Sequence, residues 1–315
     1  MTTLVLSSLI APDALDRLIV PLSGALELGL LYGLVAIGVY VSFRVLNFPD
    51  LTVDGSFPLG AAVAATLIVK GVNPIAATVV AMLAGAIAGL CTAWLNVQLK
   101  ILNLLASILT MIALYSINLR IMGQPNVPLL GQTTVMTLLE GGLKQLPSVL
   151  SPFGTSLVLL AIVVLVKLGG DRFFRSELGL AMRATGENSD MARAQGIATH
   201  HIVLLGMALS NGLVALAGAL FAQVNGFADV TLGVGTIVFG LAAVIIGETV
   251  VSGTTIFWAT LGAIVGSILY RIAVTMALNT DFLGLETQDL NLVTAILVAL
   301  ALVLPQYKRI KWRFR

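Results

Sequence analysis

Residues 48–54 read Phe-Pro-Asp-Leu-Thr-Val-Asp, and residues 227–231 read Phe-Ala-Asp-Val-Thr. A carboxylate with a hydroxyl two positions on thus recurs 179 residues later, in a chain with only 15 acidic residues among 315. Such a pair can line a polar path through an apolar medium, or it can cap the helix that follows by accepting its first N–H groups. Asp54 and Ser56 extend the first set, and Asn211 lies in the apolar run before the second. Asp50, Thr52, Asp54, Ser56, Asn211, Asp229 and Thr231 are therefore candidates for a polar path. Glu27 joins them, because an ionisable group inside an apolar run is a functional hypothesis by default. Its bland alternatives are an interfacial position or a hydrogen bond to a neighbouring helix.

The parts of a catalytic site are missing from the sequence pattern. There are two histidines, His200 and His201, adjacent at one boundary, and a single cysteine, Cys91. No G-x-x-x-x-G-K-[ST] phosphate loop, H-E-x-x-H pair or EF-hand loop occurs. The expectation is no catalytic residue, no metal, no cofactor and no enzyme activity in this chain.

What must position the polar residues is a set of membrane helices. Charged residues make up 10% of the chain, against about 25% in a soluble domain, and the mean hydropathy is +1.03. The bilayer is then the main solvent. Apolar runs predict about nine spans, near 18–43, 54–70, 74–98, 101–121, 151–169, 200–223, 229–250, 254–278 and 290–305. Helices are expected, because a lone strand leaves its backbone unpaired in lipid. The first residues lack a basic stretch and a cleavage site, so no removable signal peptide is read.

Lys and Arg set the orientation. The tail carries Lys308, Arg309, Lys311, Arg313 and Arg315. The stretch 167–193 carries Lys167, Arg172, Arg175, Arg183 and Arg193. Four spans separate the two groups, so both fall on the cytoplasmic side, with Arg44 and Lys100. Arg17, Lys70, Arg120, Lys144 and Arg271 fall outside or near outer ends. The N-terminus is then outside and the C-terminus inside.

With the chain slid by 179, Gly33, Leu34, Val35 and Ala36 fall on Gly212, Leu213, Val214 and Ala215. Val45, Phe48, Asp50 and Thr52 fall on Val224, Phe227, Asp229 and Thr231. The span at 18–43 runs inward and that at 200–223 outward, so the copies, about 20–121 and 200–305, are inverted. Inverted repeats are a transporter architecture. Between them lie an outer segment, 122–150, and a charged inner segment, 170–199. In the inner one, Asn188 or Ser189 can cap a short helix over 190–195, which Gly196 stops.

The run Arg-Ala-Thr-Gly-Glu-Asn-Ser-Asp-Met-Ala-Arg-Ala-Gln-Gly-Ile at 183–197 resembles the cytoplasmic coupling segment of ATP-binding cassette importer permeases, in the family of branched-chain amino acid and ribose permeases. Residues 29–61 are similar to that family's first span and Asn-Phe segment. Their Asn-Phe-Pro-Asp-Leu-Thr-Val-Asp-Gly form looks most like the little-characterised tryptophan/tyrosine-type branch. Branched-chain amino acid permeases carry a different, His-containing stretch there, which argues against a branched-chain substrate.

The resemblance, over roughly 20–305, implies one all-α polytopic permease domain with a coupling helix. It also implies ATP-binding cassette ATPase subunits, an external binding protein and a second permease copy, a homodimer, in a bacterial inner membrane. The solute is amino-acid-like, in this branch aromatic. Arg183, Gly186, Glu187, Asp190, Met191, Arg193 and Gly196 are expected to contact the ATPase. Glu140 and Lys144 in the outer segment are expected to dock the binding protein. The alternative is a secondary transporter driven by an ion gradient, which the inverted repeat and Glu27 also fit.

Overall fold

A computed structural model describes residues 12–138, 153–251, 253, 255–278, 295–296 and 299. Helix α1 (Pro12–Val39) passes directly into one π-helical stretch, Tyr40–Val45. Then come α2 (Val53–Val69), α3 (Pro74–Val97), α4 (Asn103–Met122) and a short strand β1 (Asn126–Pro128). Helices α5 (Gly154–Arg175), α6 (Glu177–Glu187) and the six-residue α7 (Ser189–Ala194) lead into α8 (Thr199–Asn225). Strand β2 (Phe227–Asp229), α9 (Thr236–Val250) and α10 (Ile256–Leu278) complete the described part.

Among the described residues, five helical stretches are long and apolar enough to cross a membrane: Pro21–Val45, Pro74–Val97, Asn103–Met122, Thr199–Asn225 and Ile256–Ala277. The chain is a multi-pass membrane protein. Helix α5, expected as a span over 151–169, is not among the five. Its second half carries Lys167, Asp171, Arg172 and Arg175. The expected span at 290–305 falls almost wholly outside the described residues.

Two expected spans come out differently. At 17 and 15 residues, α2 and α9 measure about 25 and 22 Å, short of roughly 30 Å of hydrocarbon. The run 229–250 does not begin as a helix. Residues 227–235 form β2 and turns, and Gly235 takes the left-handed φ of 81° that starts α9. Hydropathy alone does not mark that turn, because Val230, Leu232 and Val234 carry the apolar run up to the helix.

Helix α8 is the centre of the bundle, with α1, α2 and α3 packed around it. Small residues let backbones meet there. A Cβ on Gly60 would lie 1.9 Å from the Ala215 carbonyl oxygen, and one on Gly89 2.1 Å from that of Met207. Aromatic rings tie the same helices together. Tyr32 stacks on Phe57 at 5.8 Å, and Phe57 meets Phe221 edge-on at 5.5 Å. Strands β1 and β2 pair antiparallel, Asn126 opposite Asp229, and clasp the α4 end to the α8 end.

Overpacking a tight core contact costs about 1–3 kcal/mol. Gly60→Ala should lower the melting temperature of the detergent-solubilised protein. Gly169→Ala, where an added Cβ meets nothing within 4 Å inside α5, should leave it unchanged or raise it, since glycine inside a helix costs roughly 0.5–1 kcal/mol relative to alanine.

Candidate functional site

The polar residues around position 50 form one buried network. Asp50 Oδ1 accepts from the Thr52 amide at 2.9 Å, and Asp50 Oδ2 accepts from Asn211 Nδ2 at 2.7 Å. Ser56 Oγ donates to Asn211 Oδ1 at 2.7 Å, and the Thr52 and Thr92 hydroxyls are 2.8 Å apart. Asp50, Thr52, Ser56, Thr92 and Asn211 are all 0% exposed. Asn211 therefore fastens the irregular stretch before α2 and the first turn of α2 to α8. An acceptor-only carboxylate without such donors would be costly at this depth.

Asp54, in the first turn of α2, reaches the other short helix. Its Oδ1 accepts from the Ile237 amide at 2.8 Å and its Oδ2 from the Gly235 amide at 3.3 Å. The first N–H groups of a helix have no partner within it. Asp54 satisfies two of them for α9, from 181 residues away or more. The N-termini of α2 and α9 thus meet at one carboxylate. Beside it opens a cavity of about 500 Å³, lined among others by Asp54, Gly55, Asn118, Tyr115, Thr231 and Val234.

The second copy of the motif makes the same turn in another place. Asp229 Oδ1 accepts from the Thr231 amide at 2.8 Å and the Thr231 hydroxyl at 2.6 Å, and Oδ2 from Asn126 Nδ2 at 3.2 Å. Asp50 is fully buried, whereas Asp229 sits half-buried on the β clasp. Burial pushes the Asp229 carboxyl up. The Thr231 hydroxyl and amide, then Asn126, outweigh it and hold it below the ordinary aspartate value. The capping alternative is met in part. Each Asp makes a local turn two residues long, and the helix-end capping falls to Asp54. Glu27 is half-buried in α1 and takes part in neither the network nor the cavity lining.

On the opposite side of the network, α6 and α7 carry the charged segment. Asn188 caps α7, its side-chain oxygen accepting from the Met191 amide at 2.9 Å. Gly196 follows with φ 86°. Arg183, Glu187, Asp190, Met191, Arg193 and Gly196 are exposed, Met191 to 63%. Gly186 differs, because a Cβ there would lie 1.9 Å from the Val45 carbonyl oxygen. The end of α6 is thus pressed against the end of the π-helical stretch. A groove of about 770 Å³ runs here between Asn96, Lys100 and Asn103 on one side and Glu187, Asn188 and Arg193 on the other. Glu140 and Lys144 lie outside the described residues.

Three charged contacts escape sequence reasoning. Lys167, counted only among the cytoplasmic basic residues, forms a buried ion pair with Asp171 at 2.5 Å. The Thr260 hydroxyl donates to Asp171 at 2.7 Å, and Lys167 Nζ stands 3.6 Å from the Phe257 ring centre. Arg44 pairs with Glu248, joining the π-helical end to the α9 end. Arg271, expected outside or near an outer end, is half-buried, 4.9 Å from the Tyr32 ring centre. The i,i+4 spacing of Lys167 and Asp171 was the one readable signal.

The profile described as branched-chain amino acid transport system, permease component, matches residues 22–304. A tyrosine transport system permease protein of Clostridioides difficile is 41% identical over 269 residues, covering 85% of this chain and 86% of that one. An uncharacterised protein of Rickettsia prowazekii is 34% identical over 282 residues, covering 88% and 95%. A probable branched-chain amino acid transport permease of Methanocaldococcus jannaschii is 28% identical over 268 residues, covering 83% and 84%. No solved structure matches the chain.

Asn211→Leu would strip Asp50 and Ser56 of a buried partner and should cost at least about 3 kcal/mol, above the range for one neutral unsatisfied group because a carboxylate is involved. Asp229→Ala on the clasp should cost no more than about 1 kcal/mol. Thermal melting in detergent compares them. Asp229 has a depressed pKa, so its contribution is complete above the unfolded value of about 3.9 and is lost only as pH falls through the lower folded value. The melting difference between wild type and Asp229→Ala should therefore stay constant from about pH 8 to pH 5 and vanish only in stronger acid.

Proposed function

We propose a function from one premise: the chain belongs to the family of branched-chain amino acid transport system permease components. It is the membrane subunit of an ATP-binding cassette importer and forms the path for an amino-acid-like solute. The similarity to a tyrosine transport permease supports an aromatic solute. An external binding protein delivers the solute, separate ATPase subunits drive the cycle, and a second copy of this chain completes the path. The membrane is a bacterial inner membrane, with the C-terminus cytoplasmic. The outer segment 122–150, with Glu140 and Lys144, receives the binding protein.

The observation that carries this reading is the meeting of two short helices at Asp54. Shifted by 179, α8 falls on 20–46, over Pro21–Val45, and α10 falls on 77–99, over Pro74–Val97. The Asp50–Thr52 and Asp229–Thr231 turns then coincide. These matches support the inverted repeat. Interrupted helices at corresponding places of two repeats are where a transport route is expected. Asp50, Thr52, Asp54, Ser56, Asn211 and Thr231 line or brace that route, Asp229 holds its outer clasp, and Glu27 lies on its flank.

The drive enters at α7. A six-residue helix is too short to stand alone. Held by Asn188, it presents Met191 as an adaptable apolar knob, with Glu187, Asp190, Arg183 and Arg193 around it. Motion at α7 passes through α6 to Gly186, which is in backbone contact with Val45 and Leu46. Four residues on lies Asp50. ATPase closure would therefore reach the buried network without crossing a flexible linker.

Proteoliposomes test this. Uptake of radiolabelled tyrosine should require the ATPase and ATP. Met191→Asp and Arg193→Glu should each reduce it at least about tenfold, the worth of roughly 1.4 kcal/mol of coupling, while the permease still elutes as folded protein. Nucleotide-independent uptake by this polypeptide alone, driven by a sodium or proton gradient, would overturn the proposal in favour of a secondary transporter.

A further inference from the structure

The cavity beside Asp54 has a chemical character that the proposed function leaves open. We infer that it is a recognition site for an ammonium group on the solute, with Asp54 and Asn118 Oδ1 as its acceptors. The inference rests on the transport reading and specifies which end of the solute this chain holds.

Asn118 carries the argument. It is 0% exposed, lines the cavity, and donates from Nδ2 to the Gly55 carbonyl at 3.3 Å. Its Oδ1 is buried and has no hydrogen-bond partner. Turning the amide over would set oxygen against the Gly55 oxygen, so the orientation is fixed. A buried acceptor left unpaired costs about 1–3 kcal/mol. The site is thus built for a donor that is not part of the chain.

Charge selects which donor. Asp54 accepts one backbone N–H on each oxygen, and a carboxylate has about four lone-pair positions. Acceptor capacity remains on the cavity side. Among the described residues the ion pairs are Arg44–Glu248 and Lys167–Asp171, and neither involves Asp54 or Asp50. The N-terminus of α9, otherwise an anion site, is already taken by Asp54, and the acceptors left over at the cavity call for a donor, which an ammonium supplies and a carboxylate does not.

Shape narrows it further. Pro58, Met111, Ile112, Val230 and Val234 supply apolar walls, and about 500 Å³ is ample for a small solute with an apolar body. An ammonium offers three N–H donors. Two meet Asp54 and Asn118, and the third can meet the Thr231 hydroxyl, which also lines the cavity.

The test uses the full chain in liposomes, with Cys91→Ser removing the native thiol and Ser116→Cys placing one on the exposed cavity rim. The readout is the rate of labelling by a hydrophilic maleimide. Tyramine and L-tyrosine should slow it; 3-(4-hydroxyphenyl)propionate, the same body without the amine, should not. Asp54→Asn should raise the half-protecting tyramine concentration at least about tenfold, and Asn118→Leu at least about threefold. If Asp54→Asn does not yield folded protein, the probe comparison and Asn118→Leu decide. Equal protection by the deaminated acid, unchanged protection in the variants, or no labelling of the Ser116→Cys thiol at all would overturn the inference. ATP-driven uptake by the native chain with its ATPase is measured separately. If it holds while protection fails, only the ammonium site falls; if it fails, the transport reading falls with it.

Discussion

A bilayer offers no hydrogen bonds, so a helix that stops inside the bundle must find partners for its terminal N–H groups within the protein. The start of α9 solves this with a side chain from the other half of the chain, Asp54 at the first turn of α2. That one carboxylate makes the two short helices depend on one another. Neither can shift along its axis without releasing the Gly235 or Ile237 amide into apolar surroundings. The neighbouring network of Asp50, Ser56 and Asn211 anchors the same turn of α2 to α8. The central junction is therefore polar, while nearly everything around it is packed by small residues and aromatic rings.

Rigid packing and a polar junction have different mechanical roles. Backbones at Gly60 and Gly89 sit against α8 with no room for a methyl group, so α2, α3 and α8 move as a body. Asp54 keeps lone pairs beyond the two it gives to α9, so an arriving donor can bind it without displacing those hydrogen bonds. A solute bearing N–H groups is such a donor. The ion pairs lie at the margins: Arg44 with Glu248, and Lys167 with Asp171 under the Phe257 ring. The first ties the π-helical stretch to α9; the second lies within α5 and reaches α10 through the Thr260 hydroxyl and the Phe257 ring, close to where α6 and α7 join the bundle. A displacement arriving through Gly186 and Val45 meets a structure already braced on that side.

Much of this was legible in the residues. The apolar runs located most of the described helices, because crossing hydrocarbon demands length and apolarity and both are written in composition. The Asn188 cap and the Gly196 stop predicted the short α7, since capping is a local matter of side-chain reach and φ. The recurrence of Phe-x-Asp-x-Thr located two turns of the same geometry. Less was legible where a residue's environment comes from distant segments. Asp50 and Asp229 share motif and turn, yet one is sealed in the core and the other lies on a β clasp. Thr92 and Asn118 looked like ordinary polar residues in spans. Only the packing of α3 and α4 against α2 brings one to Thr52 and the other to Gly55.

The sequence by itself determined that this is a multi-pass helical membrane protein, with two related Asp-Thr turns and a capped inner helix. Those are properties of composition and of interactions a few residues long. Tertiary structure alone decided that α2 and α9 stop short and meet at Asp54, that Asn211 closes the buried network, and that Asn118, beside a cavity, keeps an unpaired buried oxygen. Each of those depends on which groups, 63 to 183 residues apart, come within hydrogen-bond distance. Order along the chain does not encode that distance; the close approach of helices across small residues does.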